Sequence, residues 1–369
     1  MTREPVDVTG APDPVAAWHE ADRTGRVVAL ATSGTTDAPR RVVRTTRSWS
    51  VHFEAVSALM RVGVDARVWV PGPLTGTMNL YAAVHADAVG AAWSAHPGQA
   101  THAVLTPAVL SRTLAQGIDM QGVRVVVAGD RLPEALVARA TSAGIVLDHY
   151  YGAAELSFVA WGPGPQRLAP FPGVEVECRD DRVWVRSPGV ALGYAGLPGP
   201  SGAAGPAGPP GVPGPLCVDA DGWATVGDRG SVIATPEGPR IIVTGRDDAV
   251  VTAGATVLLA DIEDALSPIA QGEVVAVPVP HGDLGAVIGV VLTVDADLES
   301  VLAQAKLSLP RVAWPRLVGV VASLPLTAGG KVDRAGLGRE VAAVRAGGVS
   351  AHGIRIRPAH STREGGPHE

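Results

Sequence analysis

Residues 102–148 read HAVLTPAVLSRTLAQGIDMQGVRVVVAGDRLPEALVARATSAGIVLD. Three short apolar runs, 102–105 (HAVL), 123–128 (VRVVVA) and 144–148 (GIVLD), are separated by helical patterns over 106–116 and 133–143. A strand buried on both faces reads as a continuous Val- and Leu-rich run, and two such strands joined by a helix must lie parallel. The stretch therefore predicts an α/β fold built on a parallel sheet with crossover helices.

The pattern extends outward on both sides. Upstream lie a short helix over 14–23, an apolar strand over 27–31, a helical pattern at 49–61 and a strand over 67–71. Downstream, 174–194 (VEVECRDDRVWVRSPGVALGY) changes to short β-runs with turns, which predicts a small antiparallel subdomain. Beyond 246 a second α+β unit is expected, with a helix opening at Ala260–Leu266, strands at 273–280 and 286–294, a helix near 298–307 and a strand at 316–322. The domain expectation is thus an N-terminal core over 1–245, a small mobile C-terminal domain over 246–340, and a disordered tail over 341–369 that lacks periodic apolar residues.

Gly recurs every third position from Gly196 to Gly214, with Pro interleaved. Seven triplets are too few for a collagen triple helix, so an exposed loop over 196–216 is expected, with no site chemistry.

With 46% hydrophobic and 18% charged residues in 369, the chain is globular rather than disordered. A net charge of −6 argues against a nucleic-acid partner, which would require a basic surface. Two cysteines, Cys178 and Cys217, make neither a disulfide framework nor a spaced metal site. The first residues lack a signal peptide's basic and apolar regions, and the longest apolar run is too short to span a bilayer. A soluble, cytoplasmic protein with no membrane span is expected.

Several segments carry candidate chemistry. Thr32-Ser33-Gly34-Thr35-Thr36-Asp37-Ala38-Pro39-Arg40-Arg41 follows an apolar strand, and small hydroxyl residues around Gly let amides and hydroxyls converge on one anion. It lacks the GxxxxGK[ST] spacing of a Walker loop. There follow Tyr151-Gly152-Ala153-Ala154-Glu155, then Gly227-Asp228-Arg229-Gly230, then Thr244-Gly245-Arg246-Asp247-Asp248, and last Leu324-Pro325-Leu326-Thr327-Ala328-Gly329-Gly330-Lys331-Val332-Asp333-Arg334.

This ordered series, spread from 31 to 334, resembles the adenylate-forming superfamily of acyl- and aryl-CoA ligases, peptide-synthetase adenylation domains and luciferases. The chain's compactness and the stretch YGAAELSFVAW resemble o-succinylbenzoate–CoA ligases and related short acyl-CoA synthetases. The resemblance implies ATP, Mg²⁺ and coenzyme A. It implies that Thr32, Ser33, Gly34, Thr35, Thr36 and Arg40 meet the phosphates, and that Thr35 and Glu155 hold Mg²⁺. Tyr151, with Gly152, Ala153 and Ala154, would receive adenine, while Asp228 and Arg246 would receive the ribose. Lys331 would bridge the acid and the α-phosphate, with Asp247 as hinge. The acid pocket would draw on residues near 73–79, 125–130 and 149–158, His149 and Gly129 among them.

The implied function is AMP-forming ligation of a carboxylic acid to coenzyme A. Loading of a carrier protein or an amine is the alternative, and a degenerate nucleotide- or acyl-binding protein a third. Departures from the pattern bear on that choice. Asp37 replaces a glycine, Arg40-Arg41 replaces Lys-Gly, and Ala154 stands where a hydroxyl is usual. The segment PGPLTGTMNL (71–80) has no aromatic–His pair, and few residues precede the phosphate loop. No carrier domain is seen after residue 334, which favours coenzyme A as acceptor.

Overall fold

The computed structural model describes residues 4–32, 40–197, 214–245, 249–252, 255–270, 272–281, 285–293, 298–327 and 330–358. Contacts divide the chain into two units, one of residues 1–246 with 327–331, the other of residues 247–326 with 332–369.

The larger unit is organised by a seven-stranded sheet. Its order is Ala169–Pro170, Ser157–Gly162, Val146–Ala153, Arg124–Val127, His102–Leu105, Arg67–Trp69, Ala92–Ser94. The last five are mutually parallel; Ser157–Gly162 and Ala169–Pro170 extend the sheet antiparallel. The helices Pro107–Ala115 and Glu134–Ser142 make the crossovers expected from the opening stretch. Thr106 starts the first: its hydroxyl accepts from Val109 N at 3.3 Å, and Pro107 occupies the first turn, where a missing N–H costs nothing.

Period-2 alternation gives this sheet two buried faces. Val125, Val127 and Leu147 pack with Leu105, Leu110, Leu136 and Ala140 on one. Val104 and Val126 join the other, with Leu80, Tyr81, Phe158 and Trp161. The helix Thr77–Ala88 lies on that second side and is buried over most of its length.

A smaller sheet runs Val6–Asp7, Val28–Thr32, Arg40–Arg44, Gly193–Tyr194. A third sheet contains Cys217–Val218, Ala224–Thr225, Arg182–Arg186, Arg229–Thr235 and Gly238–Gly245, with Glu175–Arg179 paired antiparallel to Arg182–Arg186. This matches the antiparallel texture read from 174 onward. The triplet-glycine stretch lies, from 198 to 213, outside the described residues.

The smaller unit has a four-stranded sheet ordered Val274–His281, Gly285–Thr293, Leu317–Val321, Arg355–Pro358. Its helices are Leu259–Leu266, Leu298–Ser308 and Arg334–Arg345. Asp333 caps the last, accepting from Gly336 N at 2.8 Å. Arg334 forms a bidentate ion pair with the buried Glu263, which also accepts from Ala276 N at 2.8 Å.

The tail expected to be disordered from 341 is instead ordered through Pro358. The helix continues to Arg345, Ile354 is buried with Leu337 and Val341, and Arg355–Pro358 pairs with Leu317–Val321. Residues 359–369 lie outside the described residues. Among the described residues no helix is long and apolar enough to cross a membrane.

Candidate active site

The phosphate-loop candidate joins two antiparallel strands. Thr32 lies opposite Arg40 in register, so Val28–Thr32 and Arg40–Arg44 bring the ends of the loop together. A hairpin thus replaces the strand-to-helix connection of a Walker loop. Ser33, Gly34, Thr35 and Thr36 lie outside the described residues, as do Arg246 and Asp247. Arg41 pairs with Asp7 at 3.1 Å.

Tyr151 to Glu155 spans the turn from Val146–Ala153 into Ser157–Gly162. The ladder slips at Tyr151/Gly152, and Ser157 adopts a left-handed φ of 62°. A Cβ at Gly152 would lie 2.2 Å from the Ser157 carbonyl oxygen, so only glycine fits. Ala153 and Ala154 are partly buried against the core.

This turn positions two polar side chains. The Tyr151 hydroxyl donates to Asp228 Oδ2 at 2.7 Å, uniting two predicted residues 77 positions apart. Glu155 is buried, and its Oε1 accepts from the Tyr194 hydroxyl at 2.9 Å. The same hydroxyl accepts from Leu216 N at 3.1 Å. Burial and the neighbouring Glu155 carboxylate raise the Tyr194 hydroxyl well above the usual phenol range, so it remains a donor.

Gly214 explains how the chain returns after the glycine-rich stretch. A Cβ there would fall 2.0 Å from the Tyr194 ring. The last glycine of the triplet series thus lets the backbone approach the residue that holds Glu155, a structural role the sequence reading did not assign.

Arg44 is a second residue not singled out from sequence. It is fully buried, and its Nη2 donates to the Gly189 carbonyl. Burial pushes its guanidinium down to about 9, against the pull of nearby Glu155.

Gly129 joins three other elements. It has a φ of 90°, and the point a Cβ would occupy lies 3.5 Å from Lys331 Cε, 3.6 Å from Thr106 Cγ2 and 3.9 Å from Met78 Sδ. The Thr106 hydroxyl donates to the Gly330 carbonyl at 2.6 Å, which fixes the backbone beside the exposed Lys331.

Met78 leads to a small apolar cavity of about 20 Å³. The helix Thr77–Ala88 presents Met78, Tyr81 and His85 to it; Tyr150, Phe158 and Trp161 come from the sheet. Residues three to four apart share a helix face, which is why Tyr81 and His85 stand together a turn beyond the 71–80 segment that lacked an aromatic–His pair.

The cavity draws Met78, Val126, Tyr150 and Phe158 from the three stretches expected to build an acid pocket. His149 is not among its lining residues. Alternation along the strand puts it on the face of Leu147, while Tyr150 faces the cavity.

No protein-family model matches the chain. In its fold and in the ordered residues assembled on it, the chain is similar to the adenylate-forming superfamily. It is 24% identical over 341 residues to the uncharacterized acyl–CoA ligase YhfT of Bacillus subtilis, an alignment covering 82% of this chain and 66% of that protein. It is 29% identical over 357 residues to novobiocin biosynthesis protein H of Streptomyces niveus, covering 86% and 58% respectively. The chain thus spans less than two thirds of the length of either relative.

Among solved structures, E. coli MenE with bound OSB-AMS superimposes with a TM-score of 0.64 at 22% identity, covering 79% of this chain and 65% of that one, a likeness of fold alone. The amide bond synthetase McbA from Marinactinospora thermotolerans gives 0.64 at 26% identity, covering 84% and 67%.

Proposed function

We propose that this protein is an ATP-dependent acid-activating ligase that converts a carboxylic acid to its acyl-adenylate and then to a thioester of coenzyme A. The observation that carries this reading is the junction at Gly129, where Lys331 and Met78 of the apolar cavity approach the same point. A carboxylic acid bound at this junction presents its carboxylate to Lys331.

In the first half-reaction a carboxylate oxygen attacks the α-phosphorus of ATP, the bond to the bridging oxygen breaks, and pyrophosphate leaves. Lys331 offsets the charge that accumulates as two anions meet. Tyr151 and Asp228, joined at 2.7 Å, receive adenine and ribose, the Asp228 carboxylate accepting from the ribose hydroxyls. The Ser33 to Thr36 loop and Arg40 take the β- and γ-phosphates, Arg246 approaches the ribose, and Asp247 serves as hinge.

The buried Glu155 carboxylate, held by Tyr194, suits Mg²⁺, which takes one or two protein carboxylates and completes its shell with phosphates and water. Glu155 and Thr35 would hold the ion, which screens the polyphosphate charge. In the second half-reaction the thiolate sulfur attacks the carbonyl carbon of the mixed anhydride and AMP leaves.

A second reading concerns only the acceptor. The 26% identity to an amide bond synthetase favours an amine in place of the thiol. Acid-dependent exchange of labelled pyrophosphate into ATP tests activation, and release of AMP on adding coenzyme A or an amine selects the acceptor. Lys331→Ala is expected to lower exchange at least a hundred-fold with the fold intact, since Lys331 is exposed. Exchange at the wild-type rate in that variant would refute the mechanism.

A further inference from the structure

We infer that Thr106 is a positioning residue: its hydroxyl holds the loop that carries Lys331 and so sets where that ammonium stands. The effect on catalysis rests on the acid-activating reading above; the hold on the loop does not.

On either side of residues 328–329 the loop is tied to itself. Leu326 bridges Val332 antiparallel, Thr327 N donates to the Lys331 carbonyl at 2.8 Å, and Gly330 N donates to the Thr327 carbonyl at 2.9 Å. Gly330 has a φ of 75°, a conformation that favours glycine. With its arms joined in this way, the position of Lys331 follows from where Gly330 is held. Residues 327–331 belong with the larger unit, and there the Gly330 carbonyl accepts from the Thr106 hydroxyl at 2.6 Å.

Thr106 is placed and equipped for this. It follows the buried strand His102–Leu105, starts the helix Pro107–Ala115, and is only 2% exposed. A hydroxyl has one proton to donate and two positions that accept. The Thr106 oxygen accepts from Val109 N at 3.3 Å as the helix cap, which leaves its proton for Gly330. An ionised Asp would cap the helix equally well and have no proton to give. The Thr106 methyl adds a contact with each of two glycine backbones: it lies 3.5 Å from the Cβ position of Gly330 and 3.6 Å from that of Gly129.

The setting is that of a working lysine. Leu105 and Val127 are partners in adjacent parallel strands, so Thr106 and Gly129 both follow carboxyl ends, the rim at which open α/β sheets bind ligands. Lys331 Cε stands 3.5 Å from the Cβ position of Gly129 on that rim.

The chain contains two lysines, Lys306 and Lys331, both exposed, so a lysine-specific endoprotease has two identifiable cut sites. In the full chain, Thr106→Val keeps the shape and removes the hydroxyl, while Thr106→Ser keeps the hydroxyl. Loss of one neutral hydrogen bond shifts the balance of held and released loop by roughly 2- to 13-fold, and cleavage after Lys331 should rise by that factor in the Val variant. Cleavage after Lys306, in the helix Leu298–Ser308, should stay constant, and the Ser variant should match the wild type.

A second measurement separates the half-reactions, because Lys331 acts only in the first. It uses whichever of benzoate, hexanoate and adipate best drives wild-type pyrophosphate exchange. Thr106→Val should lower that exchange roughly ten-fold through misplacement of Lys331. Conversion of the same acid's synthetic adenylate to the thioester of coenzyme A should stay within about two-fold of wild type.

Unchanged cleavage after Lys331 with a lowered urea midpoint would make Thr106 a helix cap only and overturn the inference. An equal fall in both half-reactions would do the same. Failure of the two claims is separable. Faster cleavage in the Val variant of a protein that shows no exchange with any acid sinks the acid-activating reading and leaves the loop assignment standing. Normal exchange and normal cleavage in the Val variant do the reverse.

Discussion

Replacing Tyr194 with Phe removes one oxygen and cuts two interactions in a site that is only 6% exposed. The first is donation to Glu155 at 2.9 Å, the second acceptance from Leu216 N at 3.1 Å. A hydrogen bond to a charged partner contributes ~1.5–3 kcal/mol and a neutral one ~0.5–1.5 kcal/mol, so the variant should lose about 2–4 kcal/mol of stability. Urea denaturation followed by tryptophan fluorescence suits the measurement, because of the eight tryptophans only Trp314 falls in the smaller unit. A cycle with Glu155→Ala isolates the first bond: once the carboxylate is gone, Tyr194→Phe should cost only the Leu216 share, giving a coupling of ~1.5–3 kcal/mol. If Glu155 holds Mg²⁺ as proposed, loss of the partner that orients it predicts a roughly 10- to 100-fold lower exchange rate and a higher Mg²⁺ requirement. A destabilisation within about 0.5 kcal/mol, or strict additivity in the cycle, would refute the claim that Tyr194 holds Glu155.

Gly152→Ala places a methyl 2.2 Å from the Ser157 carbonyl, a backbone atom that cannot rotate away, so a loss of at least ~2 kcal/mol is expected in the same urea assay. Gly164→Ala, where nothing lies within 4 Å, is the control and should be near neutral. His52, His85 and His149 are each lowered by burial to about 4. Their folded values lie below the unfolded one, so the stability they contribute is complete above about pH 6.5 and drains away as pH falls from 6.5 towards 4. The urea midpoint should be flat from pH 7 to 8 and fall steeply over that lower window, and a midpoint unchanged down to pH 4.5 would contradict their burial as neutral imidazoles.

How much of this was legible depends on how local the cause is. The parallel strands were, because burial on both faces writes itself into consecutive valines, as in Arg124–Val127. The choice between His149 and Tyr150 was not. Alternation says that neighbours face opposite sides, but which side holds a cavity depends on the helix Thr77–Ala88 packed over it. Order beyond 341 was invisible for a related reason. The tail offers little apolar periodicity, and its strand exists because Leu317–Val321 presents an edge to pair with and Ile354 finds Leu337 and Val341.

The ordered motifs were readable as a family resemblance while hiding a division of labour that only contacts expose. Within 324–334, Asp333 caps a helix and Arg334 neutralises a buried Glu263, so both are accounted for by stability alone. The Lys331 side chain shows no such structural contact among the described residues: it is exposed, yet its Cε stands 3.5 Å from the Cβ position of Gly129. The same division separates Gly152, fixed by the close backbone of its turn, from Glu155, buried at a cost that Tyr194 and Arg44 offset. Residues whose identity the fold does not require, or which the fold must compensate for burying, are the ones left to carry chemistry. On that criterion the proposed mechanism rests most on Lys331 and Glu155 within their motifs, while Asp333 and Arg334 make the structural contacts described.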